Sequence, residues 1–182
     1  MSTFVGLILA AGEGKRFGGP KAEYVFEGER LVDRAVRLMR EAGAQDVYVV
    51  LGAWQGDVSH ADIVHNPEWE SGMGSSLRAG LEHLQVHSSA DRVVITLVDL
   101  PGLTAPAITE IADNDSPISV ATYLGQRGHP VAFNRQLWLE VAAEAHEDVG
   151  ARDFLKGHPD LVTLVDVSHL ATGEDLDFRP QK

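Results

Sequence analysis

Three basic side chains lie close together in a glycine-rich stretch near the N-terminus. Lys15, Arg16 and Lys21 fall within LILAAGEGKRFGGPKAEY, which runs from position 7 to 24. Glycine lets a backbone approach a ligand closely, backbone N–H groups can cradle a phosphate, and Arg and Lys neutralise its charge. The pattern predicts a phosphate-binding loop that follows a first strand. An ordinary flexible glycine turn is the alternative.

Two familiar phosphate-binding motifs do not fit this loop. A Walker A loop requires G-x-x-x-x-G-K-[ST], but a Pro-Lys pair follows Gly19 where Lys and Ser or Thr belong. The dinucleotide fingerprint G-x-G-x-x-G requires a glycine where Phe17 stands. What remains is a loop in which Arg16 and Lys21 flank a Gly-Gly-Pro turn.

A carboxylate ends the clearest later strand. The apolar run VVITLV is followed by Asp99, Pro101 and Gly102. Ligands of open α/β sheets bind outside the carboxyl ends of the strands. If this strand lies beside the first one, Asp99 and the glycine loop face the same crevice. A carboxylate opposite phosphate oxygens suits Mg²⁺. The alternative is that Asp99 only caps the turn after the strand.

The segment NPEWESGMGSSLRAGL predicts a glycine-rich turn that leads into a helix. Gly72 and Gly74 precede Ser75 and Ser76 there. A helix N-terminus offers free N–H donors to an anion or to base edges. Either serine is also a good N-cap, and both interpretations can hold together. We expect the tryptophans to pack in the fold, and Trp69 is the best exception because it lies in this segment.

Strand-like and helix-like segments alternate along the chain. TFVGLILA is a nearly continuous apolar run, which is typical of a strand buried on both faces. The alternation predicts a three-layer α/β fold with a mostly parallel sheet, to which residues 118–133 could add an antiparallel element. We expect a single domain over residues 1–182, because the chain has no linker, repeat or low-complexity tract.

The bulk composition excludes several classes of function. The net charge is −12, from 15 Lys and Arg against 27 Asp and Glu, which disfavours nucleic acid or an anionic membrane as a partner. The absence of cysteine excludes disulfides and thiolate chemistry. The first apolar run is too short for a signal peptide or a membrane span, so a cytoplasmic location is the default expectation.

The ordered set of segments resembles the MobA-like nucleotidyltransferases, and most closely the molybdenum cofactor cytidylyltransferases. The opening signature L-A-A-G-x-x-x-R-[FM]-G-x-x-K of that family is present from Leu9 to Lys21. NPEWESGMGSSLRAGL, VDLPGLT, RGHPVAF and DVGAR extend the resemblance to about Asp153. It implies a Rossmann-like nucleotidyltransferase fold and Mg²⁺-dependent transfer of a nucleotide from an NTP to the terminal phosphate of molybdopterin, with release of pyrophosphate.

The resemblance also implies roles for individual residues. Arg16 and Lys21 would hold the triphosphate, and Asp99 would bind Mg²⁺. His129 and Asp148 would lie nearer the acceptor. The nucleotide-binding residues would be Leu9, Ala10, Ala11, Gly12, Gly14, Gly72 and Ser76. Cytidylyltransferases of this group tend to carry AAG where guanylyltransferases carry AGG or GGG, so LAAGEGKRFG favours CTP. Such chemistry needs positioning and charge neutralisation rather than a covalent nucleophile.

The C-terminal part departs from the family pattern. Where relatives carry D-[IV]-D-T-P-E-D-L, this chain has HLATGEDL, with His169 and Ala171 in place of aspartates. Either a second metal contact is missing, or Asp166 or His169 substitutes for it. Two other functions therefore stay open. One is a nucleotidyltransferase with another base or acceptor, such as GTP or a sugar phosphate. The other is a non-catalytic factor that delivers molybdenum cofactor to a molybdoenzyme.

Overall fold

A seven-stranded sheet forms the centre of the computed structural model, which describes residues 3–180. Within these residues the strands are β1 (Phe4–Leu9), β2 (Val25–Phe26), β3 (Glu29–Arg30), β4 (Val47–Leu51), β5 (Asp62–His65), β6 (Arg92–Leu97), β7 (Ile118–Tyr123), β8 (Gln126–Asn134) and β9 (Val162–Asp166). The helices are α1 (Leu31–Glu41), α2 (Met73–His87), α3 (Ala105–Ala112), α4 (Trp138–Glu144) and α5 (Arg152–Gly157). None of these described helices is long and apolar enough to cross a membrane.

The order of the strands in the sheet is β5-β4-β1-β6-β8-β7-β9. β1 runs parallel to both of its neighbours, β4 and β6, whereas β8 runs antiparallel to β6 and β7. The chain places β4 and β5 on one side of β1 and the later strands on the other, so the strand order reverses at β1. This confirms the predicted mostly parallel sheet with an antiparallel element, and it makes the carboxyl end of β1 the switch point.

The two faces of the sheet are covered by separate hydrophobic clusters. Ile8 packs with residues of α1 and α3, and Leu7 packs with residues of α2 and α4. All six residues of β1 are buried, which explains why its sequence reads as an unbroken apolar run. Gly80 lets α2 lie close to the sheet, since a Cβ there would stand 2.8 Å from Leu7 Cδ2. The result is the predicted three-layer α/β arrangement.

The register of β1 and β6 brings the two candidate site segments side by side. Leu9, the last residue of β1, lies opposite Leu97, the last residue of β6. The Val98 N–H then donates to the Leu9 carbonyl at 3.2 Å, which continues the pairing by one residue. The glycine loop and Asp99 therefore leave adjacent strands at the same edge of the sheet, as the sequence predicted.

One hairpin and one helix are absent from the sequence prediction. The hairpin of β2 and β3 turns through Glu27 and Gly28, whose φ angles are 51° and 88°. Two residues with positive φ form the tight turn that the twist of a hairpin favours. α5 is the second, a six-residue helix near the end of the chain. Both are too short to give a periodic signal in the sequence.

Candidate functional site

A cavity of about 390 Å³ opens at the carboxyl ends of β1 and β6. The glycine loop forms one wall, the start of α2 forms another, and the end of β6 lies between them. The predicted site residues that line it are Leu9, Ala10, Ala11, Gly12, Gly14, Lys21, Gly72, Ser76, Asp99 and Asp148. The structure thus brings together every predicted site residue except Arg16 and His129.

The glycine loop is a defined turn that only glycine can form. The Gly14 carbonyl accepts hydrogen bonds from the N–H groups of Gly18 at 2.8 Å and of Gly19 at 3.1 Å. All three glycines have positive φ, and a Cβ on Gly14 would stand 2.0 Å from the Gly19 carbonyl oxygen. Any side chain at Gly14 would therefore be strained and would also clash with the backbone. The glycines therefore allow one defined loop conformation and do not simply make the loop flexible.

Lys21 and Asp99 form an ion pair within the cavity. Their Nζ and Oδ2 atoms are 2.6 Å apart, and each side chain is only 16% exposed. Asp177 adds a second carboxylate, with its Oδ1 atom 3.6 Å from Lys21 Nζ. The ammonium group is therefore held by two carboxylates. A phosphate that takes this ammonium as a partner must replace at least part of that interaction.

Arg16 lies outside the cavity. Its side chain is 74% exposed, and its nearest charged partner is Asp177, at 3.8 Å between Nη2 and Oδ1. A long flexible arginine on a loop can reach a bound triphosphate only by changing its conformation. The structure therefore places Arg16 at the entrance of the site, beside the carboxylate that also approaches Lys21.

The C-terminal segment supplies the carboxylates near Asp99. The Leu176 N–H donates to the Asp99 carbonyl at 2.9 Å, which sets Asp175 and Asp177 on either side of this contact. The pKa of Asp175 is raised, mainly by burial and further by the negative charges of Asp99 and Asp177. Asp99 and Asp177 thus contact the ammonium of Lys21, and Asp175 adds a third negative charge nearby.

The suggested substitutes for the missing family aspartates lie elsewhere. Asp166 ends β9, which is separated from β6 by two strands, and it accepts a 2.9 Å hydrogen bond from the Ser168 N–H. His169 lines a different cavity, together with residues of α3. Ala171, at the position of the second aspartate, is buried. Neither Asp166 nor His169 therefore lines the cavity that holds Asp99, which leaves the other alternative, a missing contact at these two positions.

The donor set fits a divalent cation that is shared with a phosphorylated ligand. Within residues 3–180, no group of three His, Cys, Asp or Glu side chains is disposed to hold a metal ion by itself. Mg²⁺, however, is usually held by one or two carboxylates together with substrate phosphates and water. Asp99 with Asp175 or Asp177 meets that requirement. Burial, and then the charges of Asp99 and Asp177, raise the pKa of Asp175, and a cation would offset the charge repulsion among these carboxylates.

Two glycines at the start of α2 let another loop approach closely. A Cβ on Gly74 would stand 2.5 Å from the backbone of His146, and the Gly74 N–H donates to the Glu147 carbonyl at 2.6 Å. Gly72 has φ 109°, and a Cβ there would lie 2.8 Å from Asp148 Oδ1. These close contacts place Asp148 at the cavity.

Ser75 and Ser76 are not N-caps of α2, contrary to the sequence interpretation. The cap position is Gly72, and no side chain caps this end of the helix. Both hydroxyls instead accept hydrogen bonds from the Nδ2 atom of Asn66, at 2.8 Å and 3.0 Å, and Asn66 Oδ1 accepts from the Glu68 N–H. Asn66 is buried and ties the end of β5 to α2.

A second cavity, of about 570 Å³, adjoins the first. The two share the lining residues Leu9, Met73, Leu97 and Asp148. The inner lining of the second cavity is largely apolar and includes Ile95, Val131 and Phe133, and its polar lining residues include Arg127, Arg152, Lys156 and His129. His129 therefore belongs to the neighbouring cavity, and Asp148 belongs to both.

His129 is an uncharged imidazole at neutral pH. Burial lowers its pKa to about 4, against the opposing effect of the Asp99 charge. The Tyr123 hydroxyl donates to the His129 carbonyl at 2.7 Å, and burial raises the pKa of Tyr123 to about 12. His129 can therefore exchange hydrogen bonds with a ligand at neutral pH without adding charge to the second cavity, and Tyr123 holds the His129 backbone in place.

Sequence reasoning did not include several residues that line the first cavity. The largest of them is Trp69, which the sequence marks as the tryptophan best placed to contact a ligand but which is not among the predicted site residues. A Cβ on Gly52, just after β4, would stand 2.5 Å from Trp69 Cβ, so this glycine allows the close packing of Trp69. Glu13, Glu70 and Met73 also line the cavity. Nothing in the type or spacing of these three residues predicts a role in ligand binding, so their place in the cavity is visible only in the folded structure.

Sheet order, a glycine loop at the switch point and a facing carboxylate define an α/β nucleotidyltransferase fold. The chain belongs to the MobA-like NTP transferase domain family, which it matches over residues 6–162. This confirms the family resemblance drawn from the opening signature and the segments that follow it.

Similar proteins carry names from two classes of activity. A nicotine blue oxidoreductase of Paenarthrobacter nicotinovorans is 38% identical, over 94% of this chain and 91% of that protein. A probable molybdenum cofactor guanylyltransferase of Opitutus terrae is 33% identical, over 57% of this chain and 52% of that protein, or about half its length. The crystal structure of an Rv0371c homologue from Mycobacterium sp. strain JC1 superposes with a TM-score of 0.80, at 26% identity, over 96% of this chain and 90% of that one.

Proposed function

We propose that this protein binds a nucleoside triphosphate in the first cavity and transfers its nucleotide, with CMP favoured, to the terminal phosphate of molybdopterin. The observation that carries the proposal is the Lys21–Asp99 pair, 2.6 Å apart and mostly buried beside the glycine loop. An ammonium and a carboxylate at this position match the two needs of a triphosphate, which are a cation for its oxygens and a ligand for its metal.

The chain's own residues would act by binding and orienting the reactants. Lys21 would exchange its carboxylate partners for phosphate oxygens, and Arg16 would move in from the cavity entrance. The acceptor phosphate oxygen then forms a bond to the α-phosphorus, while the bond from that phosphorus to the bridging oxygen breaks and pyrophosphate leaves with the electron pair. Such transfers depend on alignment and charge neutralisation, which this cavity offers without a covalent nucleophile.

Asp99, with Asp175 or Asp177, would hold the divalent cation, for which we propose Mg²⁺. When bound, this ion would neutralise charge on the phosphate oxygens. Before the ligands bind, Lys21 would be held by Asp99 and Asp177, with the charge of Asp175 nearby. Binding of metal and triphosphate together would satisfy both sets of charges.

The acceptor would occupy the second cavity. Its wall is shared with the first cavity, so an acceptor phosphate placed near Asp148 is close to the triphosphate. The basic side chains Arg127, Arg152 and Lys156 provide local positive charge in a chain of net charge −12. His129, uncharged at neutral pH, would offer a hydrogen bond to the acceptor ring. A molybdoenzyme that receives the finished cofactor is part of the same proposal.

The choice of CTP rests on the Ala-Ala-Gly sequence of positions 10–12. The side chains of Ala10 and Ala11 are buried, so the base would meet the backbone at the end of β1. The relative named as a probable guanylyltransferase instead supports GTP. The two nucleotides must therefore be compared directly.

The first experiment is thermal unfolding with CTP, GTP, ATP and UTP, each with and without Mg²⁺. A ligand at a hundred times its dissociation constant adds about 2.7 kcal/mol to stability, which raises the midpoint by roughly 5–10 °C in a protein of this size. We expect the largest shift with CTP and Mg²⁺, and a much smaller shift for Lys21→Met. Arg40→Met is the control, because it removes an exposed basic side chain from the last turn of α1, away from the cavity. A shift for GTP alone would reverse the base assignment, and no shift with any nucleotide would refute the proposal.

The similarity to nicotine blue oxidoreductase supports a second candidate function, oxidation or reduction of an aromatic dye. The apolar inner lining of the second cavity suits a planar aromatic ring better than a purely polar acceptor. Without cysteine the chain has no thiol redox chemistry, so electrons would have to pass to or from a dissociable cofactor such as a nicotinamide dinucleotide. Colour change of nicotine blue with reduced nicotinamide dinucleotide, and no pyrophosphate release from any NTP, would favour this candidate.

A further inference from the structure

The C-terminal segment, residues 170–180, returns to the glycine loop from the far end of the chain. The Thr172 N–H donates to the Gly102 carbonyl at 3.2 Å, and the Leu176 N–H donates to the Asp99 carbonyl at 2.9 Å. These bonds lay the segment along the turn that follows β6. Arg179 is thereby carried beside a loop that precedes it by more than 160 residues.

Arg179 holds the glycine loop from outside. Its Nε atom donates to the Phe17 carbonyl at 3.1 Å, and its Nη2 atom donates to the Gly18 carbonyl at 3.2 Å. The guanidinium also lies over the rings of Phe17 and Tyr24, at 5.3 Å and 5.6 Å from their centroids. The two rings pack edge to face, with centroids 4.8 Å apart. A planar fork with two carbonyl partners and two aromatic faces is an arrangement that lysine cannot reproduce.

The loop needs such an external contact. Gly14, Gly18 and Gly19 all have positive φ, and glycine loses more conformational freedom on ordering than any other residue. Among the described residues, no side chain other than that of Arg179 donates a hydrogen bond to a carbonyl of residues 12–20. Its two bonds also hold the Phe17 and Gly18 oxygens, which would otherwise be free to turn toward phosphate oxygens and repel them.

We propose that Arg179 is a positioning residue for the phosphate loop. Its two hydrogen bonds and two ring contacts, here called the clasp, keep the loop in the conformation that binds a triphosphate. It does not line either of the two cavities, so it acts through the loop rather than on the ligand. This inference rests on the proposed function, because it assumes that the loop receives the phosphates. Loss of the clasp leaves the loop free to adopt other conformations and lowers the fraction that can bind.

The test compares Arg179→Met, Arg179→Lys and the control Arg40→Met, which removes an exposed arginine from the last turn of α1. Loss of two hydrogen bonds and two ring contacts should raise the KM for the nucleoside triphosphate about tenfold, with kcat changed less than twofold. Arg179→Lys should recover part of the loss, since it keeps the charge above the rings. Arg40→Met should behave as the wild type.

Hydrogen exchange of residues 12–19 in the ligand-free protein is the second readout. We expect faster exchange there in Arg179→Met and unchanged exchange in α2, so the effect is local to the loop. If the wild type binds no nucleotide, the proposed function fails, and the exchange result still decides whether the clasp exists. Wild-type exchange and wild-type KM in Arg179→Met would overturn the inference. A uniform loss of stability with no local change in exchange would also overturn it.

Discussion

The Lys21–Asp99 pair should contribute to both stability and activity, and Asp99→Asn tests the two together. At 2.6 Å between Nζ and Oδ2, the Coulomb attraction is about 6 kcal/mol at an effective dielectric constant of 20. Desolvation cancels most of this attraction. Removing one partner lowers the free energy of unfolding by about 3–5 kcal/mol for fully buried pairs, but by only about 0–1 kcal/mol for exposed pairs. Each side chain of this pair is 16% exposed, and Asp177 supplies an additional carboxylate near Lys21. The stability cost of breaking this pair should therefore lie between those limits.

We therefore expect Asp99→Asn to lower the free energy of unfolding by about 2 kcal/mol, or roughly 4–8 °C in the melting midpoint. The double variant Asp99→Asn with Lys21→Met should lose less stability than the sum of the two single variants, because each single change leaves one charge without its main partner. Urea unfolding of the four proteins measures this coupling. Lys15→Met with Glu13→Gln is the matched surface cycle, since that pair is largely exposed.

Turnover provides the second half of the test. Asp99→Asn should strongly reduce metal-dependent release of pyrophosphate from CTP while the protein stays folded, because the neutral amide supplies an oxygen ligand but no negative charge for a divalent cation. Lys21→Met should weaken binding of CTP much more than binding of cytidine. Additive stability effects within about 0.3 kcal/mol, together with near-normal turnover of Asp99→Asn, would refute the assignment of this pair.

Three further predictions concern residues around the pair. Gly74→Ala should lower the free energy of unfolding by about 1–3 kcal/mol in urea unfolding, because a Cβ there pushes away the loop that carries Asp148. The same displacement should raise the KM for the acceptor, and an unchanged KM would count against that link. Since the folded pKa of His129, about 4, lies below its unfolded value of 6.5, stability should fall by up to about 3 kcal/mol as the pH drops from 6.5 to 4, and His129→Gln should flatten this slope. Asp177→Asn should bind metal-free CTP about threefold more tightly in a titration with EDTA present, since one negative charge near Lys21 is removed; weaker binding would contradict this.

The sequence predicted the sheet well because buried parallel strands leave an unmistakable pattern. β1 and β6 read as apolar runs, and Gly12 and Asp99 follow them within three residues at the same edge of the sheet. The start of α2 was located by its glycines. Their reason, close contact with the loop that carries Asp148, was visible only in three dimensions.

The parts that sequence reasoning could not predict depend on contacts between distant residues. Arg179 and Phe17 are 162 positions apart, and neither residue type suggests the other as a partner. Asp177 reaches Lys21 because a backbone bond to Asp99 sets the path of the C-terminal segment. The family pattern has its aspartates at the positions of His169 and Ala171, and it gives no indication of the role of Asp177.

For the proposed transfer, the wall shared by the two cavities would have a kinetic consequence. Leu9, Met73, Leu97 and Asp148 border both spaces, so a product that joins the two reactants would occupy both cavities at once. Its two halves would then bind as linked ligands, and the joined molecule would be held more tightly than either half alone. Departure of the product, rather than bond formation, would then limit the rate of each cycle. A partner protein that takes the product directly from this site would speed every turnover.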